Sequence, residues 1–315
     1  STFSPIYNTL VGPGLNVRDR KEGLGLEKEE VVLAKSDKVG TARREPRMKV
    51  FQLGDLRIAY AKSGQGPPLA LLHGGLDDSR SWRRQIDGLK HEFTVLAWDA
   101  PGCGRSSDVP ESWRMADYAD AAAAWLRGIG IDRPHVLGLS WGSSVALELY
   151  RRHPQMPASL ILASAYAGWA GSLSPEETSA RLRSVLAAAG LHREELLEGW
   201  SGVFSVRASP ELREEMMAIW ADNAGSRNPG GYRAMAHSMA EADLRDVLPR
   251  IQVPTLLLYG ELDERSPLKV ANALHAEIPR SRLVVIEGAG HLASAEAPEE
   301  FNACVREFVR SIVRG

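Results

Sequence analysis

A serine between two glycines is the residue in this chain most suited to nucleophilic chemistry. Ser140 lies in the stretch Gly138-Leu139-Ser140-Trp141-Gly142, after the apolar run "PHVL" and before the helix-like run "SSVALELY". A nucleophilic serine needs a sharp turn between a strand and a helix, which exposes Oγ and tolerates only small residues two positions away. The pattern predicts Ser140 as a nucleophile, and the alternative is a serine that caps an ordinary helix.

One of the eight histidines suits the role of general base. His291 follows the predicted strand "RLVVIEG" and the dipeptide "AG", so we expect it at the carboxyl edge of a sheet, where Ser140 also belongs. His73 precedes two glycines and is expected to make a structural hydrogen bond to its loop. The other six histidines lie ahead of a strand, in polar stretches or within predicted helices.

An acid that orients the histidine is expected at the same edge. Asp263 lies three residues beyond Gly260, after the buried strand "PTLLLYG". Glu261 is a second candidate, although it lies closer to the strand end. The alternative is that both are turn residues ahead of the next helix.

An oxyanion hole requires two backbone N–H groups that point at the developing negative charge. Trp141 supplies the first in this prediction, because it follows Ser140 and begins a helix. The stretch "LLHGGL" supplies the second, with Gly75 as first choice and Leu76 as second. The predicted substrate-binding residues are Leu76, Trp169, Trp220 and Leu292.

The elements that must position these residues follow an α/β pattern. The stretch "RMKVFQLGDLRIAYAKSG" predicts a β-hairpin, and short buried strands then alternate with helices up to the end of the chain. This alternation predicts a mostly parallel central sheet flanked by helices. Residues 168–248 interrupt it with helix after helix and predict an inserted cap over the site, so 47–167 and 249–315 form the core.

Residues 1–46 are predicted to be an N-terminal extension. They are rich in Gly, Pro and mixed charge, with a short candidate strand at 31–34. One interpretation is a mobile arm. The other is an arm that packs on the body of the protein or on a second subunit, which makes a homo-oligomer through this extension a hypothesis.

Composition narrows the function classes. The formal net charge of −2 argues against a nucleic-acid or membrane partner, and the partner we expect is a small-molecule substrate. Only Cys103 and Cys304 are present, so a cytoplasmic protein is expected. No P-loop, H-E-x-x-H motif or Cys/His cluster occurs, and "GAGHLA" lacks the strand–helix–strand context of a dinucleotide site. The sequence therefore predicts no cofactor and no metal.

Several of these motifs together resemble a known family. The stretches "HGGLDDSRSW", "WDAPGCGRSSD", "GLSWGSS", "GELDERSP" and "GAGHLASAEAPEEF" are similar to those of capped α/β-hydrolase-fold serine hydrolases, over residues 47–315. The chain order Ser140, Asp263, His291 is also the order of that fold. The resemblance implies these three residues as the catalytic triad, with the amides of Gly75 and Trp141 as the oxyanion hole. In "DAPGCGRS" it implies structural residues: Asp99, Gly102, Gly104 and Ser106.

The subfamily stays open between alternatives. We predict cleavage of a carboxyl ester, lactone or amide of a fairly hydrophobic small molecule through an acyl-enzyme. "LSWGSS" resembles proline iminopeptidases, but those carry HGGPG where this chain has Leu76 after HGG. C–C bond hydrolases of diketone-type substrates resemble "DAPGCGRSSD" but have Trp after the base, where Leu292 stands here. A non-catalytic ligand-binding protein on the same fold is the remaining alternative.

Overall fold

A mostly parallel sheet organises the part of the chain that the structure describes. The computed structural model describes residues 47–189, 201–224 and 228–313, and its strand order is β1-β2-β4-β3-β5-β6-β7-β8. The predicted extension 1–46 with its candidate strand lies outside the described residues, as do residues 190–200 and 225–227 of the predicted cap. The strands are β1 Met48–Leu53, β2 Leu56–Ser63, β3 Pro68–Leu72, β4 Thr94–Trp98, β5 His135–Leu139, β6 Ser159–Ala163, β7 Thr255–Gly260 and β8 Ser281–Ile286.

The antiparallel edge of the sheet is the hairpin predicted from the sequence. Strands β1 and β2 pair from Met48↔Ala61 to Leu53↔Leu56, and the turn contains Gly54 with a φ of 58°. A positive φ is readily available to glycine, which explains the turn at "LGD". Strand β2 then pairs antiparallel with β4.

The remaining strands are parallel neighbours, and all of them except the edge strand β8 have mostly buried side chains. Strand β3 pairs with β4 on one side and with β5 on the other, and β5 to β8 follow in order. Continuous apolar runs such as "PLALL" and "TLLLYG" form these strands because helices cover both faces of a parallel sheet. The carboxyl ends of β3, β5, β7 and β8 therefore meet at one edge, and the predicted mostly parallel central sheet is confirmed.

Helices follow each strand from β3 to β8, and several lie between β6 and β7. In the latter interval, within the predicted cap, the described residues form helices and turns but no strand. No described helix is both long and apolar enough to cross a membrane. The α-helices are α1 Arg83–Leu89, α2 Met115–Gly128, α3 Trp141–Arg152, α4 Pro175–Ala187, α5 Pro210–Asn223, α6 Pro229–Glu241, α7 Leu268–Glu277, α8 Ala293–Glu296 and α9 Pro298–Val313.

Candidate active site

The turn from β5 into α3 places Ser140 in a backbone conformation that favours glycine. Ser140 has φ 53° and ψ −113°, and its N–H donates to the Ala163 carbonyl at 2.8 Å. A Cβ at Gly138 would meet the Gly142 carbonyl oxygen at 2.3 Å, and a Cβ at Gly142 would meet the Leu72 carbonyl oxygen at 2.1 Å. Both glycines of the motif are thus required by close backbone approach, as the sequence pattern predicts.

The predicted acid and base are hydrogen-bonded to each other. Nδ1 of His291 lies 3.0 Å from both carboxylate oxygens of Asp263, and both side chains are buried. Burial alone raises the pKa of a carboxyl group, but the charge of His291 and several hydrogen bonds outweigh it and hold the pKa of Asp263 below its usual range. Asp263 is therefore an ionised carboxylate at neutral pH and can orient the imidazole.

Two neighbouring loops hold this pair in place. The backbone N–H groups of Arg265 and Ser266 donate to Oδ1 of Asp263 at 3.0 and 2.8 Å. A Cβ at Gly260 would meet the carbonyl oxygens of Ala289 and Gly290 at 2.3 Å, so the loops after β7 and β8 lie in contact. That contact brings the acid, on one loop, to the histidine, on the other.

Glu261, the second candidate acid, has a different role in the structure. Its Oε2 accepts from the backbone N–H of Gly288 at 2.9 Å, and its side chain is exposed. Glu261 therefore ties the two loops together at the surface, whereas Asp263 contacts the imidazole.

The backbone N–H groups of the predicted oxyanion hole differ in their partners. Among the described residues, neither the Gly75 N–H nor the Trp141 N–H has a protein acceptor within hydrogen-bond range. The Leu76 N–H, the second choice, points at Sδ of Met235 at 3.4 Å. The geometry thus favours Gly75 over Leu76 as a donor to a substrate oxygen.

A small cavity joins these groups at the carboxyl edge of the sheet. Its volume is about 50 Å³, and helical residues between β6 and β7 form one of its walls. Three of the residues predicted to bind substrate, Trp169, Trp220 and Leu292, line it. The fourth, Leu76, does not: that side chain is buried, at 1% exposure, in a residue with φ 64°. The lining residues are Gly74, Gly75, Asp77, Leu139, Ser140, Trp141, Trp169, Val185, Val203, Trp220, Met235, Ala236, Met239, Arg265, His291 and Leu292.

His73 makes the structural hydrogen bond expected of it. Its Nε2 accepts from the Ala100 N–H at 3.0 Å, and its Nδ1 therefore donates to the Gly74 carbonyl at 2.8 Å. Burial lowers the pKa of His73, so the ring is neutral and has one fixed tautomer. These two hydrogen bonds connect His73 to the glycine loop and to Ala100. His73 takes no part in the acid–base pair.

Asp77 is a buried carboxyl group in the cavity that sequence reasoning missed. Its Oδ1 accepts from Nε1 of Trp220 at 2.6 Å. Burial raises the pKa of Asp77 to about 7, and the charge of Asp78 acts in the same direction, against the Trp220 hydrogen bond. Nothing in "HGGLDD" distinguishes the cavity-facing Asp77 from Asp78, which caps the next turn through the Arg80 N–H.

Glu296 and Ser164 are two further residues that the sequence did not single out. Glu296 accepts from the Gly290 N–H at 2.7 Å and from the Ser205 N–H at 2.9 Å, so it links the loop before His291 to the helical region. The Ser164 hydroxyl donates to the His291 carbonyl at 3.0 Å. Ser164 could have been sought directly after a strand end, but no local pattern marks Glu296.

Metal binding finds no support in the described part of the chain, where no three His, Cys, Asp or Glu side chains cluster in a way that could hold an ion. The acid–base pair, the strained serine and the unpartnered amides instead form a set of groups suited to acyl transfer.

Comparison with known proteins relates the whole arrangement to one family. Residues 67–298 match the family model described as the alpha/beta hydrolase fold. The chain is 30% identical over 264 residues to a pimeloyl-[acyl-carrier protein] methyl ester esterase of Vibrio parahaemolyticus, covering 80% of this chain and 98% of the relative. A proline iminopeptidase of Lactobacillus helveticus is 27% identical over 276 residues, with coverages of 80% and 92%.

A solved structure shows the same similarity in three dimensions. A thermophilic esterase from Thermogutta terrifontis, determined with malate bound, superposes with a TM-score of 0.75 at 30% identity. The match covers 84% of this chain and 99% of the esterase.

Proposed function

The chain belongs to the alpha/beta hydrolase fold family and is a hydrolase, and on that premise we propose that it cleaves a carboxyl ester, lactone or amide of a small molecule through an acyl-enzyme. The hydrogen bond between His291 and Asp263, in the cavity that Ser140 also lines, is the observation that carries this proposal. Ten of the side chains that line the cavity among the described residues are apolar, which favours a fairly hydrophobic substrate.

The proposed reaction assigns one role to each polar group. Ser140 Oγ attacks the substrate carbonyl and gives its proton to Nε2 of His291, while Asp263 holds the imidazole tautomer and stabilises the imidazolium. The N–H groups of Gly75 and Trp141 stabilise the tetrahedral oxyanion. His291 then protonates the leaving group, and water hydrolyses the acyl-enzyme by the same route.

A second candidate function is removal of an N-terminal residue, as in proline iminopeptidases. The "LSWGSS" stretch and the 27% identical relative favour it. The loop after the glycines weighs against it, because Leu76 has φ 64° and proline, which is fixed near −65°, cannot adopt that conformation. C–C bond hydrolysis and a purely ligand-binding role are weaker alternatives, and ester hydrolysis is the one we favour.

Labelling and mutation of the serine test the proposal. A fluorophosphonate should modify Ser140, and Ser140→Ala should lower hydrolysis of p-nitrophenyl butyrate by at least about a thousandfold without unfolding the protein. Ser184→Ala, at an exposed position of α4, is the matched control and should keep both labelling and activity. Near-wild-type turnover by the Ser140→Ala protein would exclude Ser140 as the nucleophile.

A further inference from the structure

His291, the proposed general base, lies in a loop whose backbone must be held by other parts of the chain. Two glycines precede it, Gly288 with a φ of 67° and Gly290, and glycine loses more backbone freedom on folding than any other residue. Asp263 orients the imidazole ring, but the position of the ring also depends on the backbone that carries it. The hydrogen bonds of this backbone therefore bear on the proposed chemistry.

Glu296 forms hydrogen bonds to both chain neighbours of His291. Its backbone N–H donates to the Leu292 carbonyl at 2.9 Å, and its Oε2 accepts from the Gly290 N–H at 2.7 Å. The side chain of Glu296 thus reaches back along α8 and closes a ring of hydrogen bonds around the histidine. The Ser164 hydroxyl adds a bond to the His291 carbonyl itself, at 3.0 Å. The backbone at His291 is therefore fixed on both sides.

The carboxyl group of Glu296 is buried, and hydrogen-bond donors converge on it. Oε1 accepts from the Ser205 N–H at 2.9 Å, and Oε2 accepts from the Ser205 hydroxyl as well as from the Gly290 N–H. A carboxylate, which only accepts, satisfies all three donors. A Cβ at Gly290 would lie 3.0 Å from the Ser205 nitrogen, so the absence of a side chain at this position lets the two segments pack closely.

We propose that Glu296 is a positioning residue for the acyl transfer, which holds the backbone of Gly290 and His291 and thereby sets the place of the imidazole. This inference rests on the proposed serine hydrolase function. Glu296 is not among the described residues that line the cavity, so it acts through His291. Both proton transfers of the reaction pass through that imidazole, and a displacement of about 1 Å can lower a rate by about a hundredfold. Loss of the Glu296 carboxylate should therefore lower turnover and leave substrate binding unchanged.

Glu296→Gln tests the proposal, because the amide keeps the size of the side chain but brings its own N–H groups against the Gly290 and Ser205 donors. With p-nitrophenyl butyrate, kcat per active site should fall by at least about tenfold, and KM should stay within about twofold of the wild-type value. Complete labelling with a fluorophosphonate counts the active sites. A residue that only stabilises the fold would lower the number of sites that label and not the turnover of each site.

Two control variants separate the histidine loop from the segment that packs against it. Glu300→Gln removes a surface ion pair with Arg207, 2.9 Å long, which connects the turn after Ser205 to α9. Ser205→Ala removes only the hydroxyl that donates to Glu296, and the Gly290 hydrogen bond stays in place. Both variants should keep kcat within about twofold of the wild-type value.

The outcomes separate this inference from the function on which it rests. Wild-type kcat in Glu296→Gln, a rise in KM at constant kcat, or an equal loss of kcat in Ser205→Ala overturns the positioning role and leaves a serine hydrolase.

A second variant covers the case in which Glu296→Gln does not fold. Glu296→Asp keeps the carboxylate but draws it back by one methylene, and kcat should fall by at least about threefold. If neither variant folds, Glu296 serves folding alone and the inference is wrong. Absence of hydrolysis and of Ser140 labelling in the wild-type protein overturns the serine hydrolase function, and this inference with it.

Discussion

Ser140 occupies a conformation that costs a non-glycine residue about 1–3 kcal/mol, so its surroundings must enforce it. The Ala163 carbonyl holds its N–H at 2.8 Å, and the glycines on either side allow strand and helix to approach. Ser140 lines the cavity and is half-buried there. The reactivity that we propose for Ser140 therefore depends on the backbone turn as well as on the hydroxyl group.

Asp77 should make the stability of the protein depend on pH. The carboxyl keeps its proton up to a pKa of about 7 in the folded protein, whereas in the unfolded chain it ionises near pH 4. Between these values the folded state binds more protons, so its contribution to the free energy of unfolding is largest below pH 4 and falls as the pH rises to 7. Asp77→Asn removes this titration and should gain stability relative to wild type between pH 5 and pH 8.

Urea unfolding of both proteins at pH 5 and pH 8 measures this effect. The wild-type protein serves as the control for all other titrating groups, because they are common to the two chains. A difference in unfolding free energy that is the same at both pH values would contradict a native-state proton on Asp77.

Strand β5 and helix α3 act as one element, joined by the turn at Ser140. Gly142 lies where the first turn of the helix crosses the end of β3, and a Cβ there would overlap the carbonyl oxygens of Leu72 and His73 at 2.1 and 2.5 Å. Both contacts involve backbone atoms, which cannot move aside as a flexible side chain can. The strand–turn–helix element thus requires a residue without a side chain at position 142.

Gly142→Ala should therefore destabilise the protein by about 3 kcal/mol or more and lower its activity, because overpacking must displace the helix or the strand. Gly54→Ala is the control, since that glycine lies in the β1–β2 turn with no atom within 4 Å of the added Cβ. Gly54→Ala should lower the free energy of unfolding only by the cost of a φ of 58° for a non-glycine residue, about 1–2 kcal/mol. Thermal unfolding of the two variants measures the difference, and similar losses at both positions would refute the steric argument.

At the scale of the whole molecule, residues from distant parts of the chain meet around the cavity. Nε1 of Trp141 donates to the Ser238 hydroxyl at 3.0 Å, and Nε1 of Trp220 donates to Asp77. The first bond joins the start of α3 to α6, and the second joins the loop after β3 to α5. These contacts support the predicted role of residues 168–248 as a cap, which remains a proposal.

The N-terminal extension predicted from the sequence gives a prediction for the whole chain. If residues 1–46 join subunits, their removal should lower the native mass to that of one chain and leave hydrolysis unchanged, because the family match begins at residue 67. Light scattering and ester hydrolysis of the full-length and shortened proteins measure both quantities. An unchanged mass would rule out oligomerisation through the extension.

The fold and the order of the candidate triad could be derived from the sequence because they depend on local patterns. Short apolar runs predict parallel strands, and parallel strands place their carboxyl ends at one edge. Residues that follow those ends, such as Ser140, Asp263 and His291, are therefore expected together without any knowledge of packing. The close approach at Gly138 and Gly142 was likewise implied by the spacing of the motif.

Only the tertiary structure decided which further groups enter the cavity. Trp220 and Asp77 are 143 positions apart, and no periodicity predicts their hydrogen bond. The absence of Leu76 from the cavity lining likewise goes with its backbone conformation, a φ of 64° in a loop. Such contacts arise where helices between two strands pack against loops from other strands, and this packing is set by long-range shape complementarity that a single sequence does not display.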